Sequence, residues 1–351
     1  MRFVGSRSSR QLSAGSSKRP MGHLRLAGLL VAAGLTTSVS VLATGSAGGA
    51  AASKENDHGV VVRFSSGTAG TTPDDLAIQD GSMAKALAPL GATAVEAGTF
   101  SSEAPGIEAL EGGSVDFVEG SITATIGALA AHAPIKIFAW APDAAKDEAI
   151  LVPKNSPITT VKDLEGKTVA VNESGTGQYT LLQALAYNHV PVSTVKQAYF
   201  LAPEGLQAFE SGSVDAWATF ATFITLAEQN ANARVLVWGG QVHTKNDTVF
   251  VVSSSFADRY PHLLKVIFKV LQAESAKVLK NPSVVNANLV AADHLSPASI
   301  KFLDAANAEL QAVTPAVLTR WQSVSNFFFK AGGVPVKVTI AGNTVDVNNT
   351  K

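Results

Sequence analysis

The 351-residue chain is 46% apolar and 16% charged, with a net charge of −1, so it has material for one large or two medium domains and no basic excess for a nucleic-acid surface. It contains no cysteine, which excludes a disulfide framework, a thiolate metal site and a lipid anchor on a processed cysteine.

Residues 1–52 hold no Asp or Glu but carry Arg2, Arg7, Arg10, Lys18, Arg19 and Arg25, and the apolar run Leu26 to Ala43 follows, then the small-residue stretch ATGSAGGAAAS. This order reads as a secretory signal peptide over 1–52, cleaved within Gly45 to Ser53. Met21 offers a more usual start than Met1. Thr36, Thr37, Ser38 and Ser40 weaken the run as an uncleaved membrane anchor. Removal of its six positive charges takes the net charge from −1 to −7. The mature chain is expected outside the cytoplasmic membrane, periplasmic or secreted.

The mature part alternates strand and helix patterns, which predicts an α/β architecture with mainly parallel sheets. Val60 to Phe64 reads as a strand, Ser65 to Asp75 as a loop, Leu76 to Leu90 as one helix and Ala94 to Phe100 as a strand. Ser101 to Gly106 is a loop, Ile107 to Leu110 a short helix, Val115 to Val118 a strand, Ile122 to Ala131 a helix and Ile135 to Ala141 a strand. The plan then repeats, with strands at Ala149 to Pro153, Val169 to Val171, Val195 to Leu201, Val214 to Ala218, Arg234 to Trp238 and Phe250 to Ser253. From Tyr260 the pattern is helical almost to Gly332, and the tail beyond Gly333 reads as short and polar.

An internal echo supports two similar lobes. Ile107 to Thr123, IEALEGGSVDFVEGSIT, matches Leu206 to Thr222, LQAFESGSVDAWATFAT. Asp116 and Asp215 open the two strands at equivalent points, which assigns them a structural task. The strand ends deliver Ser121 and Thr123 in one copy and Trp217, Thr219 and Phe220 in the other. Ligands in open α/β sheets bind outside such carboxyl ends. Between the copies, VAVNESGTGQYTLLQAL (Val169 to Leu185) reads as strand, glycine-bearing loop and helix, with Ser174 or Thr176 as N-cap. The unpaired N–H groups of that helix start, with Gly175 and Gly177 beside them, form a plausible anion seat.

With EALEGGSVDF, the block from Glu148 to Leu185 (EAILVPKNSPITTVKDLEGKTVAVNESGTGQYTLLQAL) and YFLAPEGLQAFESGSVDAW, the chain resembles the type II solute-binding proteins of ABC importers from about Val60 to Gly332. The branch it is similar to binds aliphatic sulfonates, taurine, nitrate or thiamine-precursor-like molecules. The resemblance implies the two-lobe periplasmic-binding-protein type II fold: a first lobe over 53–148 and 251–351, the second part mainly helical, and a second lobe over 149–250. The chain would cross near Ala149 to Pro153 and return near Phe250 to Ser253, and the cleft would close on its ligand. Partners would be a small anion or zwitterion and the permease and ATPase subunits of an importer, with the binding protein itself a monomer. Carried over position by position, the cleft takes Ser66 and Gly67 from the loop Ser65 to Thr68, Ser101, and Glu119, Ser121 and Thr123 from the first lobe. Ser174, Gly175, Thr176, Gly177, Trp217, Thr219 and Phe220 come from the second.

Two departures bear on the ligand. Sulfonate binders often carry an aromatic-Asp-Pro run where this chain has Phe220-Ala221-Thr222. Glu119 stands where many relatives carry a small hydroxyl; facing the cleft it would repel a simple anion and pair with an ammonium group, and facing outward or paired with a local Lys it would do neither. No enzyme is expected. There is no Walker A loop and no G-x-S-x-G elbow. His58, His132, His189, His243, His262 and His294 are scattered singly, without metal-ligand spacing, and no cofactor is expected. The alternatives are an enzyme or a sensory ligand-binding subunit on the same scaffold.

Overall fold

A computed structural model describes residues 57–67, 70–144, 146–304 and 308–349. The signal peptide with its cleavage zone, Met21 and Thr68 lie outside the described residues. Two sheets carry the fold. The first contains β1 (Val61–Gly67), β2 (Thr93–Phe100), β3 (Phe117–Ser121) and β4 (Ile135–Ala141). The second is built from β5 (Glu148–Pro153), β6 (Thr168–Val171), β7 (Lys196–Tyr199), β8 (Ala216–Phe220) and β9 (Ala233–Trp238). β10 (Thr248–Ser253) and β11 (Gln311–Ala312) return to the first.

The strand orders are β11-β4-β10-β3-β1-β2 and β7-β6-β8-β5-β9. Apart from β11 the plans coincide, with β3 and β8, the two copies of the internal echo, in the equivalent central place. Both sheets are mixed: β1 pairs parallel with β2 and β3, and β6 with β7 and β8, while β10 runs antiparallel to β3 and β4, and β5 antiparallel to β8 and β9. β10 and β5 are each the strand that arrives from the other lobe. The strands placed at the crossings therefore lie wholly within one sheet each. The crossings themselves are the segments before them, 142–147 and 239–247, because the β-branched runs are drawn into sheet pairing and the more polar residues are left to link the lobes.

Twelve helices cover the sheets among the described residues: α1 (Pro73–Gln79), α2 (Ser82–Leu87), α3 (Glu103–Glu111), α4 (Ile122–Ala130), α5 (Thr176–Tyr187), α6 (Ala202–Glu210), α7 (Ala221–Asn230), α8 (Ser254–Arg259), α9 (Pro261–Lys280), α10 (Ser283–Asp293), α11 (Pro297–Asp304) and α12 (Pro315–Lys330). The single helix expected over Leu76 to Leu90 is broken by Gly81 at φ 76°. The loop expected over Ser101 to Gly106 is mostly the first turn of α3, with Pro105 tolerated there because its missing N–H would be unpaired anyway. The tail is not merely polar: Val334, Val338 and Ile340 are buried with Trp321 and Phe328, and Val345 donates its N–H to the Ile137 carbonyl at 2.8 Å.

Asp116 and Asp215 do hold strands. Asp116 takes the Arg63 backbone N–H and its guanidinium at 2.9–3.0 Å, tying β1 to the start of β3. Asp215 accepts the Thr168 N–H at 2.8 Å, tying β6 to β8. One core cluster joins the lobes: Tyr179 and Leu182 of α5 pack with Trp321, Val324 and Phe328 of α12. The Tyr179 ring stands edge-on to Phe327 and Phe328, each at 5.8 Å.

Candidate functional site

The carboxyl ends of β1, β2, β3, β6, β7 and β8 open on one cavity of about 1100 Å³. Both lobes line it, and the crossing segments add Asp147 and Asn246, with Glu148 at the first residue of β5. This is the position where strand ends, helix starts and connecting loops converge in two-lobe α/β folds.

Of the residues the sequence assigned to the cleft, Ser66, Gly67, Ser101, Glu119, Ser121, Ser174, Gly175, Thr176 and Phe220 stand on the cavity wall. Four others do not. Trp217 is 2% exposed and packs against Phe209 and Phe223. Thr219, 1% exposed, lies in β8 with a helix over each face, so only the strand's last residue reaches the cavity. Thr123 is fully buried and donates its N–H and hydroxyl to the Asn246 side chain at 3.2 and 2.7 Å. Gly177 faces the Ala218 carbonyl, close enough that an added Cβ would collide with this backbone oxygen. We expect Gly177→Ala to cost roughly 2–4 kcal/mol by overpacking against a group that cannot rotate away, read as a lower urea midpoint.

The loop before α5 differs in detail from its expected form. Neither Ser174 nor Thr176 caps the helix; Gly175 is the N-cap, and the Asn172 side chain accepts the Gly177 N–H at 2.6 Å. Ser174 sits at φ 51°, donates its N–H to Gln178 Oε1 at 2.7 Å and its hydroxyl to the Gly333 carbonyl at 3.0 Å. The Thr176 hydroxyl donates to Ser121 Oγ in the other lobe at 3.0 Å, and Ser121 caps α4 by accepting the Ala124 N–H. The lips of the two lobes therefore hydrogen-bond to one another. A Cβ at Gly127 would meet the Ser174 carbonyl at 2.5 Å, so glycine is what lets α4 approach this loop.

Asn246, which sequence reading missed, is the node of the crossing. Its amide NH₂ donates to Glu148 Oε2 at 2.8 Å and Thr176 Oγ1 at 3.1 Å, its carbonyl accepts from Thr123, and its backbone N–H reaches Asp143 at 3.3 Å. Beside it, Asp247 is 1% exposed and accepts from the Arg320 guanidinium, from Trp321 Nε1 at 2.7 Å and from the Asp143 N–H at 3.0 Å.

The electrostatics of the cavity were legible only at Glu119. Its carboxyl is held well above the usual range, first by burial in the walled cleft and then by the charges of Asp74, Asp75, Asp147 and Glu103. Burial raises Glu103 to about 7, although it accepts the Thr125 hydroxyl at 2.6 Å and the Ser121 N–H at 2.8 Å. Asp147 is pushed to about 6 by burial, and Glu148 is raised by burial and by Asp143. No local signal marks these acids: they come from four segments that meet only in the folded chain.

The family model described as NMT1/THI5 like matches residues 95–284. The chain belongs to that family. An Escherichia coli (strain K12) protein named for aliphatic sulfonate binding is 28% identical over 248 residues, 67% of this chain and 74% of that protein. The taurine-binding periplasmic protein of the same organism is 28% identical over 192 residues, 53% of this chain and 58% of that one. Among solved structures, the alkanesulfonate-binding protein SsuA from Xanthomonas axonopodis pv. citri bound to MOPS superposes with a TM-score of 0.74 at 23% identity, covering 82% of this chain and 99% of that one. SsuA from Escherichia coli gives 0.69 at 24% identity, covering 81% and 91%. These matches show the two-lobe SsuA-type fold. The desulfurization enzyme DSZB shares it more distantly, with a TM-score of 0.59 at 14% identity, covering 83% and 98%. The relatives matched by sequence are named as binding proteins and one of them as periplasmic. No helix among the described residues is long and apolar enough to cross a membrane.

Proposed function

We propose that this chain is the extracytoplasmic solute-binding subunit of an ABC importer and holds a small sulfonated organic solute, an aliphatic sulfonate or the zwitterion taurine, in the interlobe cavity without transforming it. The observation that supports this reading most directly is the cavity, walled by the strand ends of both lobes and crossed by two linkers, so that lobe closure reports occupancy. The sequence relatives named for sulfonate and taurine binding point the same way. The permease and ATPase subunits are the partners this reading implies, and cleavage within Gly45 to Ser53 would deliver the mature chain to them.

A thermal-shift screen of taurine, aliphatic sulfonates, nitrate, phosphonates and aminopyrimidines tests it. A ligand at a hundred times its Kd stabilises by about 2.7 kcal/mol, which raises the Tm of a chain this size by roughly 5 °C. A shift with a sulfonated compound, recovered chemically unchanged, is the expected result. A flat response across the sulfonates overturns the ligand class, and turnover of the compound overturns the transport role.

A further inference from the structure

We infer that the cavity selects a solute carrying a positively charged nitrogen, an ammonium or amidinium group seated against Glu119 and Asp147, rather than a solute that is an anion alone. The inference rests on the reading of this cavity as the ligand site and narrows its ligand.

The wall carries eight carboxylic side chains and, among the described residues, no Lys, Arg or His. Those that matter are central. Glu119 lies in β3, before Gly120 and Ser121 at the strand's carboxyl end, and Asp147 ends the first crossing segment; no hydrogen bond or ion pair among the described residues reaches either carboxyl. Glu148, 1% exposed on the same wall, accepts the Asn246 amide at Oε2, and its Oε1 has no hydrogen bond, with the Thr244 hydroxyl as its neighbour. A buried acceptor without a donor is costly, and a ligand ammonium would supply the missing donors and the missing charge together. The groups facing Glu119 are Asp74 and Asp75 from α1, Glu103 from α3 and Asp147, all of one sign.

Two further observations point in the same direction. Phe100, Phe200, Phe220 and Phe223, with Tyr199, line the cavity, and aromatic faces attract organic cations while covering an apolar body. Conversely, the seat that would hold an anion is largely occupied by the protein's own groups. The N–H groups of Ser174, Gly175 and Gly177 already have acceptors, and the hydroxyls of Ser66, Ser174 and Thr176 already donate. A bare sulfonate would have to displace these bonds and sit beside unpaired carboxyls.

Proton linkage distinguishes the two kinds of ligand. A cation lowers the pKa of the raised carboxyls, so its binding releases protons and tightens as pH rises. An anion raises them further, takes protons up and binds more weakly as pH rises. The test is calorimetry with the mature protein, pairing taurine with ethanesulfonate, its analogue without the nitrogen, in buffers of different ionisation enthalpy. Benzamidine serves as a cation with no sulfonate, and Glu119→Gln and Asp147→Asn, checked for unchanged melting, serve as variants. Taurine should bind roughly tenfold or more tightly than ethanesulfonate, the scale of one charge-assisted hydrogen bond, and should release protons. Glu119→Gln should abolish the preference while improving ethanesulfonate. Equal or tighter binding of ethanesulfonate, with proton uptake and no loss of taurine in either variant, overturns the inference and leaves the sulfonate-binding reading intact. If no sulfonate binds, the functional reading falls; Glu119-dependent binding of benzamidine then supports the cation site alone, and its silence overturns that too.

Discussion

Lowering the pH from 7.5 to 5 is expected to stabilise the ligand-free protein, with a higher Tm and a higher urea midpoint at pH 5. The sign follows from the carboxyls packed in and behind the cavity. Burial holds Glu103 at about 7, and burial with the neighbouring Asp75 holds Asp74 at about 7, against ordinary values of 4.5 and 3.8. Both side chains are almost fully buried, at 6% and 3% exposure. A carboxyl with a raised native pKa keeps its proton in the folded state after the unfolded chain has lost it, so stability is fully present below the unfolded pKa and falls as pH rises toward 7. Between pH 5 and 7 such a group loses at most about 3 kcal/mol, two pH units at about 1.4 kcal/mol each. Asp143, Asp147, Glu119 and Glu148 move in the same direction. Stability that rises monotonically from pH 5 to 7.5 would show that these acids are solvated or paired. Glu103→Gln should flatten part of the slope, because the amide keeps the shape and removes the titration.

Replacing Asn246 with alanine is expected to cost roughly 3–4 kcal/mol of stability, since several buried groups lose their partner at once. Thr123 in α4 loses the acceptor for its N–H and hydroxyl, while Glu148 and Thr176 lose a donor. These groups belong to opposite lobes, so the loss also loosens the lobes from each other, and urea unfolding of the variant should broaden. Asn246→Asp separates charge from packing. It replaces the donor facing Glu148 with a carboxylate, so it should be more damaging than alanine at pH 7.5 and recover at pH 5, where protonation restores an O–H donor. A loss below 1 kcal/mol for Asn246→Ala, or no pH difference for Asn246→Asp, would refute the assignment of this residue as the tie between the lobes.

Asp116 and Asp215 show how much short-range pattern can carry. Their equivalent places in the two Gly-Ser-Val-Asp copies marked them as structural, and each indeed ties the start of a strand to its neighbour. The same local patterns located most strands and helices within a few residues, and the block from Glu148 to Leu185 carried the family resemblance. They failed where a competing force was not local. Gly81 broke a helix that apolar spacing favoured, and the apolar residues of the tail found a core that lies far from them in sequence.

Sequence alone therefore determined the family, the repeated lobe plan and the strand ends that frame a cleft, because periodicity and turn chemistry act over a few residues. Only the tertiary structure decided which side chains face that cleft. Trp217 and Phe220 belong to one strand with helices on both faces, so alternation cannot tell core from cavity, and only the strand's last residue emerges. Nor could spacing reveal that Glu103, Glu119, Asp147, Glu148 and Asn246 converge, because the chain must close two sheets and two crossings before they meet. The charge of the site is a property of that closure, which sets acidic side chains from several segments on one wall with the loop before α5.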